Sequence, residues 1–225
     1  MSWRADKPAT LAYVEALDGG DPANKVEFRD EIFLWNAPFD AAATSLVKTP
    51  QRYDRIIWGN DNVAIISDEW YDTRNTKTYV INPSNPSQGP KVIFDRNAQD
   101  AYSDPGNFET RKNQYNRYVL AIENDNAYLI GNGFTKNGQF PFISEFNLKT
   151  LQTNRLYTST YKDKKEDLLE IEDFKKGTVL VQIQSKNEYP NYYLRNFKQK
   201  NKLTPITAFK NPFESIKNVN KEVIK

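Results

Sequence analysis

One order of segments recurs about four times along this chain: a strand, a tight turn, a second strand, then a third and a shorter fourth. The clearest pair of copies is Asn60-Asp61-Asn62-Val63-Ala64-Ile65-Ile66 and Asn124-Asp125-Asn126-Ala127-Tyr128-Leu129-Ile130. Each Asn-Asp-Asn follows an apolar segment, Arg55-Ile56-Ile57-Trp58 in one copy and Tyr118-Val119-Leu120-Ala121-Ile122 in the other, so each reads as a hairpin. A third hairpin runs from residues 170–174 through Lys175-Lys176-Gly177 to residues 178–183, with glycine where a positive φ is cheap. Residues 9–17 give the matching strand of a first unit, whose opening hairpin strand the pattern leaves out.

Third strands are expected at residues 30–35, 77–81, 141–146 and 192–197, and fourth strands at 44–48, 92–94, 155–157 and 204–207. A four-stranded antiparallel sheet that returns every 50 to 65 residues or so is the pattern of a propeller blade. The expected fold class is therefore all-β, a partial β-propeller of about four blades, each a four-stranded antiparallel sheet. A β-sandwich also has many short strands, but they need not recur in fours with one internal order. The approximate blades are residues 1–50, 51–110, 111–162 and 163–212. Helix is expected to be scarce, with only residues 164–171 and the tail from 214 onward inviting it. Aromatics on the strands, among them Trp35, Trp58, Tyr79, Phe94, Tyr128, Phe146, Tyr192 and Phe197, are expected in the core.

Composition narrows the chemistry. The 225 residues contain no histidine and no cysteine, so no imidazole or thiolate can serve as base, nucleophile or zinc ligand. With 31 basic and 29 acidic residues spread along the length, the net charge of +2 forms no stripe for a phosphate backbone or anionic lipid, and nucleic acid is not an expected partner. No apolar run approaches the roughly 20 residues that span a bilayer, so no membrane partner is expected. Met1-Ser2-Trp3-Arg4 lacks the form of a signal peptide. No cofactor and no metal is expected.

Trp3-Arg4-Ala5-Asp6-Lys7-Pro8-Ala9-Thr10-Leu11 and Val14-Glu15-Ala16-Leu17-Asp18-Gly19-Gly20-Asp21 resemble the non-catalytic propeller of prolyl oligopeptidase-type serine peptidases, in the glutamyl endopeptidase branch. Four further stretches match in order: Trp70-Tyr71-Asp72-Thr73-Arg74, Phe94-Asp95-Arg96, Tyr102-Ser103-Asp104-Pro105-Gly106, and Asn211-Pro212-Phe213-Glu214 leading to Lys221-Glu222-Val223-Ile224-Lys225. The resemblance implies that residues 213–225 are a linker into an absent α/β-hydrolase domain of the same parent chain, and that the earlier blades are absent too. It also implies a propeller that caps the active site and gates the entry of a peptide substrate, in a periplasmic or secreted setting, with no catalytic residue of its own. Four blades of a larger ring would expose an apolar face at each end, and a homodimer through those faces is one way to cover them.

The candidate substrate-binding residues are Trp70, Tyr71 and Arg74. Two aromatic rings and a guanidinium on one connection can offer stacking faces and a two-pronged donor to a carboxylate. In the alternative reading, Trp70 and Tyr71 pack between blades and Arg74 holds a neighbouring loop carboxylate. Asp95-Arg96 reads as a local salt bridge and Asp104-Pro105-Gly106 as a turn. Asp100, Asp104, Glu109, Glu166, Asp167, Glu170, Glu172 and Asp173 read as solvated charges rather than paired carboxylates or a cation site. The Asn60 and Asn124 segments lack the ligand spacing of a calcium loop and read as turns.

Overall fold

Alternating side chains and turn residues produce sheets throughout: in a computed structural model, the described residues (1–199 and 202–212) contain no α-helix, only one 3-10 turn at Pro86–Gln88. The expected linker at 213–225 lies outside the described residues. The first sheet runs β1 (Ser2–Trp3), β2 (Thr10–Ala16), β3 (Asp30–Asn36) and β4 (Thr44–Thr49) in sequence order. The second repeats this as β5 (Arg52–Asn60), β6 (Val63–Trp70), β7 (Asn75–Ile81) and β8 (Lys91–Asn97).

The third group is elaborated. It contains β9 (Asn107–Phe108), β10 (Thr110–Lys112), β11 (Tyr118–Leu120), β12 (Ile122–Glu123), β13 (Asn126–Gly131), β14 (Phe134–Thr135), β15 (Gly138–Gln139), β16 (Phe142–Asn147) and β17 (Thr153–Thr158). Its main sheet has the order β12-β13-β16-β17 with β9 added beside β13, while β10-β11 and β14-β15 are separate two-stranded ribbons. The last sheet is β18 (Lys164–Asp173), β19 (Thr178–Ser185), β20 (Asn191–Asn196) and β21 (Lys202–Pro205). The fold is all-β, a partial propeller built from such antiparallel blades. Residues 1–129 with 145–153 form one compact unit, and 130–144 with the described residues from 154 onward form another.

Three details differ from expectation. The first sheet does have an opening strand, with Ser2 opposite Ala12 and Trp3 opposite Leu11, but two residues are too few to display alternation. The expected strand at 118–122 breaks at Ala121, whose N–H donates to the Glu109 carbonyl (3.0 Å) while the Glu109 N–H donates to the Tyr128 carbonyl (2.8 Å). Residues 164–171, which invite a helix by composition, are strand: Glu166, Leu168 and Ile171 are buried, with a bulge between Leu168 and Glu170 resetting the alternation.

The similar Asn-Asp-Asn segments do form turns, by different means. Asn124 and Asp125 both take positive φ, 51° and 63°, as a two-residue hairpin turn requires. In the other copy Asn60 Oδ1 accepts a hydrogen bond from the Asn62 amide at 2.9 Å. Gly177 supplies φ of 72° in the third hairpin.

The unbroken apolar run of β6 is explained by burial on both faces. Ala64 and Ile66 join Ala12, Ile32, Leu34 and Trp58 in one core, whereas Ile65 points the other way, into a core with Leu120 and Ala127. The far face of the first sheet carries a different cluster, in which Tyr13 stacks on Phe33 (5.3 Å between centroids) and Trp35 meets Phe39 edge-on (5.3 Å).

Candidate functional site

β6 ends at Trp70 and β7 begins at Asn75 directly opposite it, so residues 71–74 form a tight connection. Arg74 closes it with φ of 55°, and its carbonyl accepts from the Ala98 amide at 2.7 Å, tying the connection to the segment after β8. Trp70 and Arg74 are half-buried; Tyr71 is 69% exposed.

The three candidates divide. The Arg29 guanidinium lies 3.6 Å from the centre of the Trp70 ring, so one face of this tryptophan is already occupied from the first sheet. Arg29 is itself held by Asp18 (2.8 Å), which also binds Arg52 (2.6 Å) and the Gly20 amide (3.0 Å). Arg52 reaches on to Asp30 at 2.8 Å, and Asp30 accepts from the Tyr53 amide at 2.7 Å. Trp70 thus rests on a charged lattice that fastens the second sheet to the first. Arg74 instead lies 4.3 Å over the exposed Tyr71 ring, and among the described residues it makes no ion pair. The structure therefore brings Tyr71 and Arg74 together at the surface and turns Trp70 inward.

Asp18 gives the lattice a pH dependence. Burial works against its charge, but the Arg52 hydrogen bond, the Gly20 amide and Arg29 together outweigh it and hold the carboxyl below its ordinary 3.8. A depressed folded-state value stabilises the fold above pH 3.8, and that stabilisation is lost as pH falls through the folded-state value. Asp18→Asn is expected to unfold at lower urea than the parent at pH 7, with the gap narrowing in acid. A gap that widened in acid would show that the ionised Asp18 is not what holds the two arginines.

The opposite face of β6 lines a pocket of about 100 Å³ that includes Arg55, Ser67, Thr76, Arg96, Asp104 and Phe108. Here Arg96 pairs with Asp104 at 3.5 Å and donates to the carbonyls of Asn97 (3.1 Å) and Asp100 (3.2 Å), which holds the loop after β8. The expected Asp95–Arg96 bridge is not formed, because neighbours on a strand point to opposite faces. Asp95 pairs with Lys77 (3.5 Å) and accepts from Asn75 (2.7 Å) instead.

Two further acids, besides Asp18 and Asp30, are buried without a cue in the neighbouring sequence. Asp68 is 0% exposed and accepts from Tyr79 Oη (3.0 Å), the Gln51 side chain (3.1 Å) and the Gln51 amide (3.2 Å); burial pushes its carboxyl up despite these donors. Glu166, expected to be solvated, is fully buried against Arg195 and Tyr157. Only the partners, far away in sequence, make these positions tolerable for a carboxylate. Among the described residues no group of three or more acidic side chains could hold a metal ion.

No protein-family model matches the chain. It is 33% identical over 241 residues to the probable chloroplastic glutamyl endopeptidase of Oryza sativa subsp. japonica, an alignment covering 99% of this chain and 25% of the relative. The protein of the same name from Arabidopsis thaliana is also 33% identical, over 244 residues, 100% of this chain and 25% of its own. This chain therefore spans about a quarter of the length of the curated relatives it matches. Among solved structures, dipeptidyl peptidase 4 of Porphyromonas gingivalis shares the fold with a TM-score of 0.51 at 16% identity, over 90% of this chain and 29% of that one. With a strand order of repeated antiparallel blades, the chain is thus similar from end to end to about a quarter of these probable glutamyl endopeptidases.

Proposed function

We propose that this chain is a non-catalytic propeller part of a serine peptidase, capping the active site of a hydrolase domain in the same parent chain and gating peptide access. The observation that carries this reading is the match itself, which runs the whole length of this chain yet covers only a quarter of each relative. The composition supports it, since a chain without histidine cannot assemble a Ser-His-Asp relay.

Within this reading, Tyr71 and Arg74 are the surface through which the propeller touches substrate. The guanidinium over an exposed ring is poised to donate hydrogen bonds to a peptide carboxylate from the solvent side. In the full-length enzyme, Arg74→Ala is expected to lower kcat/KM for acidic peptides by about tenfold, the loss of one charge-assisted hydrogen bond, and to leave neutral peptides unaffected. Unchanged turnover of acidic peptides would remove Arg74 from the substrate path. The exposure of Tyr71 also suits a second reading, a stand-alone propeller-like module that binds a peptide or glycan on the same turn.

A further inference from the structure

The connection between the second and third strands is short in the second sheet, residues 71–74, but in the third group it spans residues 132–141 and carries the β14-β15 ribbon. This ribbon is firmly placed. The Phe140 amide donates to the Gly133 carbonyl at 2.8 Å, and Gly133 has φ of 63° with space for no side chain, since a Cβ there would fall 1.8 Å from the Phe140 carbonyl oxygen. At the tip, Thr135 Oγ1 donates to the Gly138 carbonyl (2.9 Å) and accepts from the Asn137 amide (3.1 Å).

Between the ribbon and the start of β18 lies a pocket of about 490 Å³. Phe140 and Tyr161 give it apolar walls, Asn137 and Gln139 bring amide groups, and Lys162, Lys164 and Lys165 are its only charged lining residues. Tyr161 is anchored from behind, its hydroxyl accepting from Arg195 at 3.3 Å. Just outside the lining, Lys164 Nζ holds both carboxylate oxygens of Glu188 at 2.7 Å and Lys165 holds Asp167 at 2.8 Å. These lysines thus already hold carboxylates, in exposed pairs of the kind that contribute little and exchange readily. Lys162 is exposed and makes no ion pair with any described residue.

We propose that this pocket is a second peptide subsite, taking the carboxylate side chains of an acidic segment, with Lys162 as the free cation and Phe140 and Tyr161 against the aliphatic stems. The proposal rests on the peptide-handling reading above but concerns a different surface from Tyr71 and Arg74. Its size suits a few residues of an extended chain, in the range of ordinary ligand pockets.

The test is fluorescence anisotropy of fluorescein-labelled hexaglutamate titrated with the 225-residue protein at low salt, with hexaglutamine as the uncharged probe. Saturable binding of hexaglutamate alone is expected, weakened about tenfold by Lys162→Glu and little changed by Lys176→Glu, the same reversal in the β18-β19 turn. Equal effects of the two reversals, equal binding of hexaglutamine, or no binding would each overturn the subsite. Binding abolished by Arg74→Ala and untouched by Lys162→Glu would overturn it while leaving the peptide-handling reading in place.

Discussion

Glu166→Ala is expected to destabilise the protein by about 3–5 kcal/mol, the cost of leaving a buried charge without its partner. Glu166 and Arg195 have side chains 0% and 6% exposed, and one carboxylate oxygen receives both Nη2 (2.7 Å) and Nε (2.8 Å) of the arginine. The other oxygen receives Tyr157 Oη at 2.6 Å. Burial works against the charge on Arg195, and Glu166 and Tyr157 offset it, holding the guanidinium above its ordinary value. Arginine cannot escape by losing its proton, so the lone cation must draw in water or open the sheet. The double variant Glu166→Leu with Arg195→Met is therefore expected to lose less than Glu166→Ala alone, as urea denaturation would show. A double variant as unstable as the single one would mean that packing, rather than the stranded charge, sets the cost.

Trp58→Ala should cost about as much, 3–5 kcal/mol, for a different reason. Trp58 is 3% exposed in the core shared by the first two sheets, and its removal leaves a cavity between them. Its ring also carries the Arg4 guanidinium at 5.0 Å, and Arg4 is 5% exposed, bound to Asp6 through two hydrogen bonds of 2.9 Å. The same segment is gripped from the third group, where Arg117 donates to the Lys7 carbonyl (2.8 Å) and Asn113 to the Ala5 carbonyl (2.8 Å). Trp58→Ala is thus expected to speed proteolysis within residues 4–8 as well as lower the urea midpoint, whereas Trp58→Phe should retain most of both. Loss of stability without faster cleavage there would separate Trp58 from the anchoring of this segment.

The elements legible in the sequence are those whose information is local. Strand alternation around Val63-Ala64-Ile65-Ile66 and turn chemistry at Asn124-Asp125 and Gly177 lie within a few neighbouring residues, and the sheets follow. What escaped depends on residues remote in the chain. The run Lys164-Lys165-Glu166-Asp167 looks like a solvated face until Arg195, 29 positions on from Glu166, closes over it. Trp70 offers the same cue as Tyr71 until Arg29 covers its ring. Asp95 and Arg96 invite pairing because they adjoin, yet strand geometry sends them to separate partners. The β9 and β14-β15 pieces, two residues per strand, are too short to have any periodicity at all.

If this chain is part of a larger peptidase, as proposed, the size of the native protein in its source cells will show it. An antibody raised to this chain and used to blot a whole-cell lysate should detect a band about four times the 26.1 kDa of the chain, as its share of the relatives implies. A band at 26.1 kDa would rule out a larger parent and leave binding as the function of a chain that stands alone.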